Sequence, residues 1–374
     1  MKILISGASI AGPALAFWLS RGGHDVTVVE RAPSIRPGGQ AIDVRGAALT
    51  VAERMGLLEA IREHATGMRG MSFVDGDGTV LHSTTEETLT GGRVGSPDVE
   101  LLRDDLARVL YEATRERAAY RFDDSLTALD PESGEVGFER APGERFDLIV
   151  GADGLHSTTR RLAFGPEREH IRHLGTMLAV FTTANFTGLD RWQTFYREAD
   201  RMAGLYSARD NAEARALLGF YADGSDFDHR DREGHYRALE ERFGADGWEV
   251  PRMLKEMRLA PDFHFDSMAQ IHLPSWSRGR VTLVGDAGYC ASPLSGQGTT
   301  LAMVGAYVLA GELGRAPLPQ ALAAYEAVMR PFAEANQEYA LRVDAWQRDP
   351  QGEPPSIEEV SAAVDLKDYG WARE

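Results

Sequence analysis

The segment Gly7-Ala8-Ser9-Ile10-Ala11-Gly12 constrains the fold of this chain more than any other. Before it, Lys2 to Ser6 is a short apolar run that by length and flanks reads as a buried strand. After it come apolar residues at helical spacing (Leu15, Phe17, Trp18, Leu19), with Pro13 suited to a first helical turn and Gly22-Gly23 to a stop. A second apolar run, Val26 to Val29, ends at Glu30. Strand, turn, helix and strand in about thirty residues form a β-α-β unit, and parallel strands joined this way imply an α/β sheet.

The turn matches the dinucleotide fingerprint G-x-G-x-x-G, with Ser9 where the middle glycine usually stands. Gly7 allows the tight turn, the small Ser9 lets the backbone approach a pyrophosphate, and Gly12 lets helix and strand pack closely. Ile10 and Ala11 open the helix, whose unpaired N–H groups and positive dipole end face the phosphates. Glu30, 18 residues after Gly12, is placed to accept hydrogen bonds from ribose hydroxyls, with Arg31 beside it. An acid there disfavours a 2′-phosphate, so the resident nucleotide is FAD or NAD rather than NADP.

The 374 residues suit two or three domains by length alone, and 43% hydrophobic with 26% charged residues is ordinary for a globular chain. A net charge of -17 argues against nucleic acid and against an anionic membrane surface as partners. The single cysteine, Cys290, excludes an internal disulfide and a cysteine metal site, and reads as a small buried hydrophobe. No leader precedes the first strand and no apolar run approaches the length of a membrane span. The expectation is a cytoplasmic protein, monomer or homodimer.

Further along, Ala47 to His64 reads as a helix, Met71 to Ser83 as a hairpin turning at Asp75-Gly76-Asp77-Gly78, and Arg103 to Arg117 as a helix. Phe146 to Val150 is another buried strand. Residues 171–222 change character, with strands at Thr176–Thr182, Thr194–Arg197, Met202–Ser207 and Ala216–Tyr221, followed by helix over about 234–257. Arg280 to Val284 is again a buried strand, and Thr299 to Leu313 a strongly apolar helix. The pieces 1–65, 95–165 and 275–335 are expected to form one discontinuous nucleotide-binding domain. The pieces 66–94 and 166–274 are expected to form an inserted, mainly antiparallel sheet domain that binds substrate, with 336–374 a C-terminal helical segment.

Two more motifs separate FAD from NAD. One is Gly151-Ala152-Asp153-Gly154-Leu155-His156-Ser157-Thr158-Thr159-Arg160; the other is Gly285-Asp286-Ala287-Gly288, continuing through Pro293 and Gly296-Gln297-Gly298 into the apolar helix. Together with the first, in this order, they resemble the group A (p-hydroxybenzoate hydroxylase-like) FAD-dependent monooxygenases. The likeness is nearest to the tetracycline-modifying and polyketide hydroxylase branches and covers about 1–335. The resemblance implies a Rossmann-like FAD-binding domain and assigns Asp286 to the ribityl chain. Pro293, Gly296, Gln297 and Gly298 would lie along the isoalloxazine, where N–H groups and a helix N-terminus stabilise the reduced anionic flavin. It places Arg103 on phosphate or ribityl oxygens and Arg45 near the ring. Asp153 and Gly154 belong to a stretch linked with FAD and the nicotinamide donor, and Arg160 supports that turn.

The resemblance also implies the reaction. NADPH or NADH reduces FAD, reduced flavin and O2 give a C4a-hydroperoxide, and one oxygen atom enters an aromatic or polycyclic molecule, such as a polyketide or antibiotic, with loss of water. Phe181, Phe195, Tyr206, Phe220, Met268 and Tyr289 are the expected liners of an apolar pocket. Gly288-Tyr289 stands where the family often has Ala-His, and a thioredoxin-like C-terminal domain of longer relatives is lacking. No W-x-W-x-I-P motif of flavin halogenases occurs, and no metal-binding histidine spacing. A flavin dehydrogenase, oxidase or reductase on the same fold is the alternative, and a non-catalytic flavin-binding sensor a third reading.

Overall fold

A computed structural model describes residues 1–361 and 363–371. The first apolar run forms strand Lys2–Ser6, in which Ile3, Leu4 and Ile5 are fully buried. It is the centre of a six-stranded sheet in the order Ser277–Arg278, Val281–Leu283, Leu148–Gly151, Lys2–Ser6, Asp25–Glu30, Ala119–Phe122. All neighbours are parallel except the Ser277–Arg278 edge. Burial on both faces explains the continuous apolar runs. On one face Ile3, Ile5, Val26, Val28, Leu148 and Val150 pack under helices Ala11–Arg21 and Gly298–Leu313. On the other, Leu4, Ile149 and Val281 pack on Phe146, Val136, Phe138 and Ala163.

The second sheet has seven strands, in the order His264–Ile271, Ile171–Ala184, Glu213–Tyr221, Arg201–Ala208, Gln193–Arg197, Met71–Val74, Val80–Thr84. Pairing is antiparallel except between Gln193–Arg197 and Met71–Val74. One face carries Tyr196, Ala203, Leu205, Leu218, Ala216, Ala179, Phe181, Phe220 and Phe265 against helices Arg232–Phe243 and Val250–Leu259. Strand alternation sends Phe195, Tyr206, Leu217, Arg215, Thr182, His264 and Asp266 to the opposite face. A two-stranded ribbon, Ala41–Val44 with Val99–Leu102, stands between the sheets.

Several expected helices are shorter or divided. The helix expected over 47–64 breaks at Gly56 (φ +74°) into Ala47–Met55 and Leu58–Arg62, because that left-handed residue ends the first in a C-terminal turn. The helix expected over 103–117 stops at Glu112. The stretch 234–257 is two helices, the second opened by Pro251 in its first turn. The C-terminal helix, Leu318–Arg348, begins well before residue 336 and ends long before residue 374. Glu358–Ser361 is a short separate turn of helix. Among the described residues no helix is long and apolar enough to cross a membrane.

Phe220 is fully buried under the helices of the outer face, in edge and tilted contact with Phe227, Phe243 and Phe265. Phe220→Ala should cost about 3–5 kcal/mol by opening a cavity there. Denaturant unfolding should register that loss while flavin titration of the folded variant stays at the wild-type value.

Candidate functional site

The crevice is built at the C-terminal ends of three parallel strands, where a dinucleotide is expected in such sheets. The turn after Lys2–Ser6 is held by Gly7 N donating to Val29 O at 2.8 Å. Gly7 has φ +108°, and a Cβ there would lie 2.4 Å from Ala152 O. A Cβ on Gly12 would lie 1.9 Å from Gly7 O. Both glycines are therefore obligatory, and they bring the turn after the first strand against the turn after Leu148–Gly151. Glu30 accepts from Ala8 N at 2.8 Å and Ala32 N at 2.9 Å. Those bonds orient the carboxylate and leave lone pairs for ribose hydroxyls. Arg31, beside it, is exposed.

The Ser9 departure has a structural answer. Arg103 Nη1 donates to Ser9 Oγ at 3.2 Å, and Nη2 donates to Arg36 O and Gly38 O at 2.8 and 2.6 Å. The guanidinium is 7% exposed, and its Nε has no partner. Desolvation, with Arg36 adding to it, lowers its pKa to about 10. A buried cation with an unused donor, beside the fingerprint turn, suits a phosphate.

The third motif lines the other half. From Val281 to Leu313 nearly every residue is buried, and the exposed ones are Asp286, Pro293, Gly296 and Gly298. Gly285 at φ +64° and Gly296 at φ +60° make the turns that present them. Asp286 is reachable by solvent yet encircled by protein, and that desolvation raises its carboxyl above the usual range. A Cβ on Gly298 would meet nothing within 4 Å, so the N-terminus of the Gly298–Leu313 helix opens on free space. Beside it Gln297 is fully buried and its Oε1 unpartnered, while Nε2 donates to Ser361 Oγ at 2.9 Å.

Arg45 and Asp43 form a buried ion pair at 2.5 Å, with side chains only 6% and 5% exposed. Asp43 Oδ1 and Arg45 Nε lack partners. Burial pushes the Asp43 carboxyl up to about 8 against the pull of Arg45, with Glu100, cross-strand from it, adding to the rise. Sequence reading missed Asp43, which lies in strand Ala41–Val44 two residues before Arg45, the residue that follows the strand.

Asp153 and Arg160 act through the protein. Asp153 accepts from Ser157 Oγ at 2.5 Å and from Thr159 N and Oγ1, both at 2.9 Å, which fixes the start of helix Thr158–Phe164. Arg160 is fully buried and donates to Ala287 O at 3.0 Å and Leu155 O at 2.6 Å, so it ties two motif turns together and contributes no accessible surface. Gly154, at φ +78°, is open to space.

The expected pocket liners need correction. Phe181 and Phe220 lie on the sheet face under the helices. Tyr289 is core: it stacks near Trp276 at 4.4 Å and meets Tyr325 Oη at 3.0 Å. Phe195 and Tyr206 are on the crevice-side face but fully buried. Phe195 covers Gly204, and Tyr206 Oη accepts from Ala41 N at 2.9 Å. Met268 is half-buried on that face. The accessible crevice-side residues include Met268 together with Leu178, Thr182, Met202 and His264. Desolvation lowers His264 to about 4, with Arg36 and Arg103 adding to the fall. Period-2 reading of these strands from a fixed register would have found them; the sequence alone does not supply the register.

Comparison with known proteins agrees with this geometry. A family model described as FAD binding domain matches residues 1–340. An uncharacterised protein of Mycobacterium tuberculosis (strain ATCC 25618 / H37Rv) is 53% identical over 98% of this chain and 99% of its own length. A flavin-dependent monooxygenase of Legionella longbeachae is 38% identical over 92% of this chain and 88% of its own. The crystal structure of tetracycline destructase Tet(55) superposes with a TM-score of 0.87 at 35% identity, covering 98% of each chain.

The side chains present fit FAD. The unpartnered atoms of Arg103, Asp43, Arg45 and Gln297 and the open backbone at Gly154 and Gly298 are what such a cofactor would satisfy. Arg103→Gln should weaken FAD retention about tenfold or more, the worth of a charge-assisted bond to phosphate. Equilibrium titration of the stripped protein, read by quenching of flavin fluorescence, measures it.

Proposed function

The chain belongs to the FAD-binding-domain family of flavin-dependent monooxygenases, and from that premise we propose that it hydroxylates a planar aromatic or polycyclic small molecule. The carrying observation is the run between Val281 and Leu313, nearly all of it buried, in which Asp286, Pro293, Gly296 and Gly298 are the exposed residues. FAD, when bound, supplies reduction by NAD(P)H and activation of O2. The rest is the work of the chain.

In this reading Arg103, Ser9 and Glu30 hold the pyrophosphate and adenosine end, and Asp286 holds the ribityl chain. The N–H groups opening helix Gly298–Leu313 face the ring, where a positive dipole end favours an anionic reduced state. Buried Arg45, paired with Asp43, lies at the same end, near Gly296. The accessible apolar residues Leu178 and Met202, with Thr182 and His264, form the opposite wall. Apolar Leu178 and Met202 beside a few polar groups suit a planar, largely apolar substrate and help keep water from the reacting centre. The likeness to a tetracycline destructase supports a polycyclic, polyketide-like substrate.

Oxygen uptake by the FAD-loaded protein with NADPH or NADH tests the reading against a panel of phenols and polycyclic phenols. Uptake stimulated by a panel member, with a product heavier by one oxygen atom derived from O2, is expected. Stoichiometric peroxide and no oxygenated product across the panel would instead place the chain with flavin oxidases or reductases. Met202→Trp should raise KM for the best substrate by about tenfold through loss of space on the wall, with FAD affinity unchanged.

A further inference from the structure

His156 lies in the second motif, outside the crevice roles assigned above, and its surroundings are unusual. Its Nδ1 meets Glu167 Oε1 at 2.8 Å and its Nε2 meets Asp266 Oδ2 at 3.0 Å. An imidazole that serves an acceptor at each nitrogen must carry both protons. Glu167 continues the chain: its Oε2 accepts from Arg160 Nη2 at 2.7 Å, and Arg160 Nη1 donates to Ala287 O at 3.0 Å. Asp266 belongs to strand His264–Ile271 of the second sheet, whereas His156, Glu167 and Arg160 follow a strand of the first. An unbroken run of charged hydrogen bonds therefore connects the inserted sheet to the residue next to Asp286.

We propose that Asp266, His156 and Glu167 form an ionic clasp that fixes the second sheet to the Gly285–Gly288 turn through Arg160, and so sets how firmly that turn holds its cofactor. These are positioning residues: none of them reaches the reacting atoms. The proposal rests on the reading of Asp286 as a ribityl ligand.

His156, Glu167 and His229 also lie close enough together to suggest a metal site. The hydrogen bonding argues otherwise. Both ring nitrogens of His156 are committed to carboxylates, so a cation would have to displace a proton from a ring that two carboxylates hold charged. His229 contributes its ring face, stacked at 3.9 Å and 9° on His156, and carries no hydrogen bond in the chain from Asp266 to Ala287.

The charged groups around His156 are Glu167 and Arg160 on its own side, with Asp153 behind them. From the second sheet come Asp266 and His264, and from the 222–231 loop Asp228, His229 and Arg230. Desolvation pulls the His156 value down, but the bonds to Asp266 and Glu167 outweigh it and raise the value to about 9. A raised histidine stabilises fully below its ordinary value of 6.5 and loses that contribution as pH rises through about 9. Glu167 and Asp266 are both held below the usual carboxylate range despite desolvation, so on the acid side the clasp persists until those carboxylates protonate.

The test follows FAD release from the holoenzyme, and thermal unfolding of the stripped protein, from about pH 6 to pH 10. Wild type should lose FAD affinity and melting temperature together in a step near pH 9. His156→Gln should weaken FAD binding about three- to tenfold at neutral pH and abolish the step, a range reduced for partial exposure. Adding Asp266→Asn to it should cost little more, as expected of residues acting in one chain, and His229→Asn should behave as wild type. A flat wild-type profile overturns the clasp even if the variants fail to fold. So does wild-type FAD affinity in His156→Gln, or stoichiometric Zn2+ binding by calorimetry that His229→Asn abolishes. If the protein takes up no FAD but its melting temperature still shows the step, the clasp stands and the cofactor reading falls.

Discussion

Two backbones cross at van der Waals contact where Gly7 and Gly12 meet, and the site depends on that crossing. With Gly7 O occupying the space a Cβ on Gly12 would need, helix Ala11–Arg21 starts directly against the strand end. Its N-terminus therefore points into the crevice rather than along the sheet. The same closeness presses Gly7 on Ala152, which brings Gly154 and the Asp153 turn alongside. The third turn follows because strand Val281–Leu283 pairs with Leu148–Gly151, and Val284 N donates to Gly151 O at 2.9 Å. Three separate motifs thus converge through strand register, and an error of one residue in any pairing would turn the motif residues away from one another.

The second sheet is held to the first largely by polar groups rather than a shared apolar core. The loop between residues 36 and 41 is the hub. Arg215 Nε donates to Gly39 O at 3.0 Å, Tyr206 Oη accepts from Ala41 N, and Gly38 N donates to Asp104 Oδ2 at 3.0 Å. Arg209 adds ion pairs to Asp104 and Asp105 at 2.7 and 2.9 Å. Ionic contacts of this kind, with the aspartates buried and Arg209 about a third exposed, add little net stability. Their value lies in geometry: each admits one arrangement, so the wall of the crevice is set by directional bonds while the apolar mass of each sheet is satisfied separately.

That division explains what could be read from the chain itself. Apolar runs flanked by glycine marked the parallel strands, because strands buried on both faces need no alternation. The hairpin at Asp75–Gly78 followed from turn chemistry, with Gly78 at φ +82°. The candidate cofactor residues could be proposed from sequence because Gly, Asp and Pro at fixed offsets have local causes. The substrate wall was not: Phe181 and Phe195 differ only in which face their strand turns inward, and that is decided by pairing with distant strands. Tyr289 looked like a liner because it follows Gly288, yet its ring turns to Trp276 and Tyr325 in the core. Helix ends were misplaced where one glycine, Gly56, ended a pattern that composition would have continued. The Ser9–Arg103 bond and the His156 chain join residues about a hundred apart, and no local signal announces either.

The ionisable groups at the crevice share one property, which bears on why a chain would tolerate them. Desolvation raises Asp43 and Asp286, lowers Arg103 to about 10 and lowers His264 to about 4. Each departs in the direction that disfavours its charge, so Asp43, Asp286 and Arg103, which are charged at neutral pH in the unfolded chain, oppose folding there unless something restores the lost solvation, whereas His264 does so only below its ordinary value of 6.5. The protein partners seen are incomplete: one oxygen of Asp43 and one nitrogen each of Arg45 and Arg103 remain unsatisfied. A dinucleotide carries the complementary set, with anionic oxygens for the arginines and hydroxyls for the carboxylates. The unfavourable desolvation and the binding energy are then two sides of one quantity, and the folded state should gain stability with ligand concentration in the manner of any partner that binds only the native form. The clasp at His156 is the counterexample: the charges of His156, Glu167 and Asp266 are paired with one another and with Arg160 inside the protein, as suits a group proposed to position the site rather than to meet the ligand.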